Sequence, residues 1–263
     1  MRQLICSIDG DGNWCPEWCE KILYLIKKYP LIKFTVGVIV CYYDGTLRIE
    51  DLEERTRPIK EIFAQPNVEP ASHTWSHPTD WTNPEGKTLV SQRRWNIVQE
   101  VRYSTDFIER YLTDKKVKVF LLSGGCNPSV EALREIYDRG LIPFNGYVDC
   151  VAPYENVGGY LQWAQRAWHD VHYTGVKKYR EENGQQVKYV DNPEGYRKVI
   201  DYFNVAQGRP IHIYFHFYAA EFPQTYGSVD YVLDWATKQS LESLYISEYI
   251  KKNSQLPTTL GGG

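Results

Sequence analysis

Short, mostly apolar segments that alternate with helical ones constrain this chain more than any other feature. Residues 4–8, 34–42, 68–72, 117–122, 141–148, 211–218 and 244–247 read as buried strands. Between them, apolar side chains recur at helical spacing. Trp18, Ile22, Leu25, Ile26 and Tyr29 share one face over residues 16–29, with Pro16 suited to the first turn and Pro30 ending the run. Residues 51–64 read as a helix that Pro58 kinks or splits. Residues 91–112 follow with Ile97, Val101, Ser104, Ile108 and Leu112 on one face. Ser129 caps a helix through Tyr137 that Gly140 closes, and residues 194–204 and 229–238 are helical again. Residues 150–192 break the pattern and read as a long excursion. Strand then helix, repeated, implies parallel strands with crossover helices. At 263 residues, with no linker and no repeat, a closed, irregular (β/α) barrel is favoured over an open doubly wound sheet. One domain is expected over residues 1–253, and residues 254–263 read as a disordered tail or an added remnant.

Composition narrows the function classes. A net charge of −3 provides no basic field for nucleic acid and no acidic arm. No apolar run is long enough to span a bilayer, so no direct membrane insertion is expected. The N-terminus does not read as a signal peptide, because its apolar part is short and runs into acidic residues. Six cysteines, at positions 6, 15, 19, 41, 126 and 150, do not make a disulfide framework in a chain this long. Cys15 and Cys19 could form a local bridge or be free thiols.

Reactive side chains gather at the carboxyl ends of the predicted strands, the face on which barrel enzymes build their sites. Asp9 and Asp11 follow the first strand, His73 and His77 the third, Ser123-Gly124-Gly125-Cys126-Asn127 the fourth, and Asp149 the fifth. His216 lies near the end of residues 211–218. Each has an ordinary structural explanation alone: an Asp-Gly turn, two loop histidines, a core histidine. Together they make a chemistry. One carboxylate and two imidazoles form a three-ligand metal site with a position left for water. A second carboxylate on the same turn could act as base toward that water, and a histidine from across the barrel could protonate a leaving group. Gly10 and Gly12 let the backbone turn sharply there. These parts describe metal-assisted hydrolysis of an amide or ester.

The runs Ser7-Ile8-Asp9-Gly10-Asp11-Gly12, Ser72-His73-Thr74-Trp75-Ser76-His77-Pro78 and Ile213-Tyr214-Phe215-His216 resemble motifs of the polysaccharide deacetylases, the NodB-homology fold of carbohydrate esterase family four. The glycine between the two aspartates is similar to one branch, the deacetylase domain of the Pel exopolysaccharide biosynthesis protein. Residues 61–68, 117–124, 127–133 and 231–236 look similar to that branch as well, so the resemblance covers most of residues 3–250.

The resemblance implies an irregular (β/α)7-type, NodB-like barrel and an N-deacetylase acting on an N-acetylhexosamine exopolysaccharide of the GalNAc or GlcNAc type, outside the cytoplasm. It implies Asp9 as general base, His216 as general acid, and Asp11, His73 and His77 as ligands of Zn2+ or another divalent transition metal. A backbone N–H near Cys126 would stabilise the oxyanion, and Asp149 is the nearest match to the fourth motif. Trp75, Trp81 and Tyr218 are candidate walls for sugar stacking. The family's third motif is rewritten here, and no Arg is evident to orient Asp9. A catalytically silent metal- or carbohydrate-binding module and a hydrolase of small cyclic amides are the alternative readings. His169 and His172 read as loop residues.

Overall fold

The computed structural model describes residues 2–41, 49–85, 88, 94–123, 128–145, 154–157, 160–164, 177–182, 185–190, 200, 210–220 and 223–253. Its strands are β1 (Arg2–Asp9), β2 (Phe34–Val38), β3 (Val68–Ser72), β4 (Val119–Leu121), β5 (Ile142–Asn145), β6 (Tyr154–Val157), β7 (Tyr160–Ala164), β8 (Lys177–Glu182), β9 (Gln185–Val190), β10 (Ile211–His216) and β11 (Leu241–Leu244). The main sheet runs β10-β1-β2-β3-β4-β5-β7-β6, with β11 also paired to β1. Every pair in it is parallel except β6–β7. The edge of β1 that faces β2 is shared: β11 pairs along Arg2 to Ile5, and β2 along Cys6 to Ile8.

The sheet curls into an irregular barrel that is open among the described strands, rather than the closed one expected, since β10 and β6 at the two ends of its order are not paired. Phe144 of β5 and His212 of β10 lie five strands apart in the sheet order, yet their rings meet at 5.5 Å across the interior. Alternation along the strands then separates two cores. Leu4, Cys6, Ile8, Phe34, Val36, Ile211, Ile213 and Phe215 face the outer helices. Ile5, Ala71, Val119, Leu121 and Phe144 point inward and are joined there by Leu244, Ile246, Tyr249 and Ile250. The last three belong to α6 (Ile246–Asn253), which together with β11 fills one end of the curl. A small buried polar network, Thr35 and Glu69 with Ser247 of α6, lies at that end, whereas Asp9, Asp11 and the histidines lie at the other, where the carboxyl termini of the parallel strands are.

The outer layer contains α1 (Pro16–Lys28), α2 (Ile49–Phe63), a composite helix α3 (Gln99–Tyr103, Ser104–Phe107 and Ile108–Leu112), α4 (Val130–Asp138) and α5 (Pro223–Thr237). The first and last stretches of α3 are wound as π-helix. The Ser129 hydroxyl accepts from Ala132 N–H as the expected cap, and Gly140 follows α4 with φ +68°.

Several boundaries differ from the sequence reading. α2 is continuous through Pro58 rather than split. β2 stops at Val38 because the Asn13 side chain takes over: its Oδ1 accepts from Ile39 N–H and its Nδ2 donates to Ile39 C=O. Residues 94–96 are not helical, since Asn96 Oδ1 accepts from Gln99 N–H and so caps the helix there. The last strand ends at Leu244, three residues before its expected limit, and gives way to α6. The excursion at 150–192 contains two hairpins, β6–β7 and β8–β9. The helix expected at 194–204 and the tail at 254–263 fall outside the described residues, apart from residue 200, which is helical. Cys15 and Cys19 are not joined by a disulfide, so the local bridge is absent.

The two glycines of the aspartate turn do different jobs. Gly12 adopts φ +107°, a conformation that side chains oppose. Gly10 supplies space: a Cβ there would lie 2.7 Å from Val38 Cα and 2.9 Å from both Gly37 O and Ile39 N, all backbone atoms. Gly10→Ala is therefore expected to destabilise the protein by about 2 kcal/mol or more, read from chemical denaturation midpoints. An unchanged midpoint would show that β1 and β2 are not held at that approach.

Candidate active site

Three chain segments converge at the polar end of the barrel. β1 delivers Asp9 on its last residue and Asp11 two residues later. β10 runs parallel to β1 in a register that pairs Asp9 with His216. β3 leads into the His73–His77 loop. His73 has to reach Asp9 across β2, and Gly37 of β2 leaves the room: a Cβ there would lie 3.0 Å from His73 Cβ and 2.8 Å from Leu121 Cδ1.

The histidine loop is strained and well braced. Thr74 and His77 both adopt positive φ, 77° and 59°, which is unfavourable for a β-branched residue above all. The turn brings the two imidazoles to a centroid separation of 4.9 Å. His77 N–H donates to Thr74 Oγ1, and Thr74 N–H to Ser72 Oγ. Between the histidines, Trp75 N–H and Ser76 N–H both donate to Glu100 Oε2 at 2.9 and 2.8 Å, and Ser76 Oγ–H donates to Oε1 at 2.6 Å. Glu100 lies on α3 and is fully buried.

The centre is a compact charge cluster. His73 Nε2 stands 3.5 Å from Asp9 Oδ2 and 3.6 Å from Asp11 Oδ1. His77 Nε2 is 3.3 Å from Asp11 Oδ1, and His216 Nε2 is 3.6 Å from Asp11 Oδ2. His73 Nδ1 bonds Leu121 C=O at 3.0 Å, which turns Nε2 toward the carboxylates. Burial raises the Asp9 carboxyl above its ordinary value, and His73, His216 and the Tyr214 hydroxyl only partly offset that. Burial pushes Asp11 the same way, but the neighbouring His73, His77 and His216 imidazoles prevail and hold it well below the usual range. Burial lowers His77 to about 4. For His73, burial is outweighed by the Asp9 and Asp11 carboxylates, and its value rises.

Asp11, His73 and His77 can present one ligand atom each with all three atoms within 4.8 Å of one another. Asp11 Oδ1 and His73 Nε2 are buried and have no hydrogen-bond partner. Two imidazoles and a carboxylate with unsatisfied, converging atoms fit a divalent cation. Asp9 and His216 flank the group without belonging to it.

Searches of solved structures match this architecture across nearly the whole chain. BA3943, a CE4 family pseudoenzyme from Bacillus anthracis, aligns with a TM-score of 0.58 at 16% identity, over 94% of this chain and 65% of that one. A proposed polysaccharide deacetylase from Mycobacterium smegmatis aligns with a TM-score of 0.67 at 10% identity, over 100% of this chain and 95% of that one. The fold is that of the polysaccharide deacetylases. The PuuE allantoinase also shares the deacetylase fold, with a TM-score of 0.59 at 13% identity over 89% and 71% of the two chains. No family model matches the chain, and no curated protein matches its sequence. The chain spans just under two thirds of the Bacillus protein's length.

Within the deacetylase fold, Asp9, Asp11, His73, His77 and His216 come together as the sequence suggests. The proposed sugar walls divide. Tyr218 stacks on the His216 ring, with centroids 4.7 Å apart and planes at 21°. Trp75 packs instead against Tyr103 and Phe107 of α3. Trp81 is 1% exposed, wedged between Trp95 and Phe120 with its Nε1–H on Ser123 C=O, so it packs the core rather than offering a face to sugar. Cys126, Asp149, His169 and His172 lie outside the described residues. Two contributors escaped the sequence reading. Tyr214 donates to Asp9 Oδ2 at 2.8 Å, and its place two residues before His216 on one strand, which puts both side chains on one face, was the available signal. Glu100 was legible as a lone carboxylate on the apolar face of α3, four residues before Ser104.

Glu100 also provides a pH test of the loop's bracing. Burial raises its carboxyl from an ordinary 4.5 to about 7, against the hydrogen bonds from Ser76 and Trp75. The folded state therefore holds this proton more tightly than the unfolded one. The resulting stability is complete below about pH 4.5 and is lost as pH rises through about 7. Glu100→Gln removes the titration, so between pH 5 and pH 8 the variant should gain on the parent protein by up to about 3 kcal/mol. Denaturation of both proteins at the two pH values checks this. A stability difference that stays constant with pH would contradict it.

Proposed function

We propose that the chain is a metal-dependent N-deacetylase of an N-acetylhexosamine polysaccharide. The observation that carries this reading is the convergence of a base, an acid and an unsatisfied three-ligand cluster at one end of the barrel. Asp11, His73 and His77 would hold the cation, and zinc suits two imidazoles and one carboxylate. When bound, such a cation supplies a Lewis acid that polarises a carbonyl and lowers the pKa of water.

The protein's own groups divide the remaining work. Asp9, ionised and beside the cluster, takes a proton from the attacking water. The tetrahedral carbon then collapses as His216 Nε2 gives a proton to the departing nitrogen. The products are a carboxylic acid and a free amine, with Asp9 left protonated and His216 neutral. Tyr218, stacked over His216, is the proposed wall for the sugar ring at the leaving-group side. By the sequence resemblance, the polymer is a Pel-type exopolysaccharide and the reaction takes place outside the cytoplasm.

A second reading, hydrolysis of small cyclic amides, is favoured by the allantoinase on the same fold. The CE4 pseudoenzyme likewise keeps a silent binding module in view, since fold alone does not decide catalysis.

Acetate release from N-acetylgalactosamine and N-acetylglucosamine oligomers, with zinc and with a chelator, separates these readings. Metal-dependent acetate is expected. Turnover of cyclic amides alone, or no turnover in any metal by the folded protein, would overturn the proposal in favour of the second reading or the silent module. His73→Ala and Asp11→Asn should lose bound metal and activity together. His216→Ala should keep the metal and lose on the order of 10²- to 10⁴-fold in kcat; retained turnover would remove His216 as the acid.

A further inference from the structure

The base and the acid are not independent. Tyr214 sits between them on β10, buried to 3% exposure. Its hydroxyl is 2.8 Å from Asp9 Oδ2 and 2.9 Å from His216 Nε2. Its ring is set edge-on to His216 at 5.0 Å and tilted against His212 at 6.2 Å, so packing fixes where the oxygen lies. His212 in turn bonds Ser7 of β1 at 2.7 Å, which ties the same two strands together one layer deeper.

A phenol has a single proton to give. With Asp9 ionised, that proton must point at the carboxylate, because a carboxylate only accepts. The phenol oxygen then faces His216 Nε2 with a lone pair, so Nε2 must carry hydrogen. One hydroxyl thus sets a directional chain, His216 Nε2–H to Tyr214 O–H to Asp9 Oδ2. That is the protonation pattern an acid and a base need at the start of the reaction.

We propose that Tyr214 is a positioning and proton-returning residue that joins Asp9 and His216 into one chain. The proposal rests on the deacetylase reading for the identity of the reaction. After the C–N bond breaks, Asp9 holds the proton taken from water, and His216 Nε2 is bare. The hydroxyl then turns over: the Asp9 carboxyl O–H bond breaks as its proton passes to the Tyr214 oxygen, and the Tyr214 O–H bond breaks as its own proton passes to His216 Nε2. The net change is Asp9 ionised and His216 protonated, with no outside donor and no electron transfer. The phenol O–H also orients Asp9, because it holds Oδ2, the oxygen that lies 3.5 Å from His73 Nε2.

Tyr214→Phe deletes the oxygen and keeps the ring. Zinc stoichiometry and KM should stay within about 2-fold of the parent while kcat falls on the order of 10- to 100-fold. A second readout does not need turnover. In 15N spectra, with His216 assigned by its loss in His216→Gln, the parent should show a protonated, hydrogen-bonded Nε2 whose signal shifts in Tyr214→Phe. An unchanged kcat with metal bound, or a parent Nε2 that is bare, would overturn the chain, and the parent spectrum decides this even if the variant fails to fold. A parent protein that releases no acetate in any metal would instead overturn the deacetylase reading and with it the role in turnover. The 15N signals would still report whether the bonds exist.

Discussion

Two carboxylates two residues apart, both largely withdrawn from water, set the terms for everything around them. Burial disfavours each charge, and each disfavours the other. The compensation has to be supplied by other strands. It comes as His73 and His77 from β3, and as Tyr214 and His216 from β10. β1 must therefore lie next to β10, with β3 only one strand further on the other side, which is the order observed. The outcome is unequal by design of the neighbours. Asp11 faces three imidazoles and stays ionised, while Asp9 is raised and nearer to a base that can accept and release a proton.

Register carries this arrangement as much as strand order does. Asp9 pairs with His216 and Ile8 with Phe215, so a slip of one residue would send the imidazole outward and Phe215 into the charge cluster. The apolar alternation prevents the slip, because Ile211, Ile213 and Phe215 belong to the core under the helices. Hydrophobic burial on one face of β10 thereby fixes polar chemistry on the other. The far end of the curl is closed by α6, whose apolar residues cover the inward faces of Ile5, Ala71 and Val119 and whose Ser247 bonds the buried Glu69.

The parts of the fold that were legible in the sequence are those in which local signals and tertiary needs agree. β3 has the expected limits, and α4 has its Ser129 cap and its Gly140 stop. Asp9, Asp11, His73, His77 and His216 were legible as candidates because they sit at or just past the carboxyl ends of short apolar strands, and the structure brings them together. Signals that compete locally were misread. Tyr245 and Ile246 favour a strand by residue type, but Ile246, Tyr249 and Ile250 at helical spacing are what the barrel interior buries. Residues 183–184 are Asn-Gly between polar runs, a hairpin signal that the charge of β8 and β9 concealed. Asn13 and Asn96 ended elements through side-chain hydrogen bonds that no periodicity reveals. Trp81 was misjudged because an aromatic near a site carries no indication of which way it faces.

Shared fold leaves the chemistry open, since a pseudoenzyme and an allantoinase use the same barrel. What distinguishes members must lie in the few groups that hold protons and charge, and here those groups are supported from behind. Glu100 holds the backbone between the two histidines, where Thr74 and His77 are forced to positive φ. His73 is aimed by Leu121 C=O, Asp9 by Tyr214, and β2 is ended by Asn13. None of these supports is a metal ligand, and each sits on an element other than the one it steadies. The positive φ at Thr74 and His77 is what brings the two imidazoles to 4.9 Å of each other, and a turn that costs energy in this way persists only because Glu100 binds the backbone and hydroxyl between them.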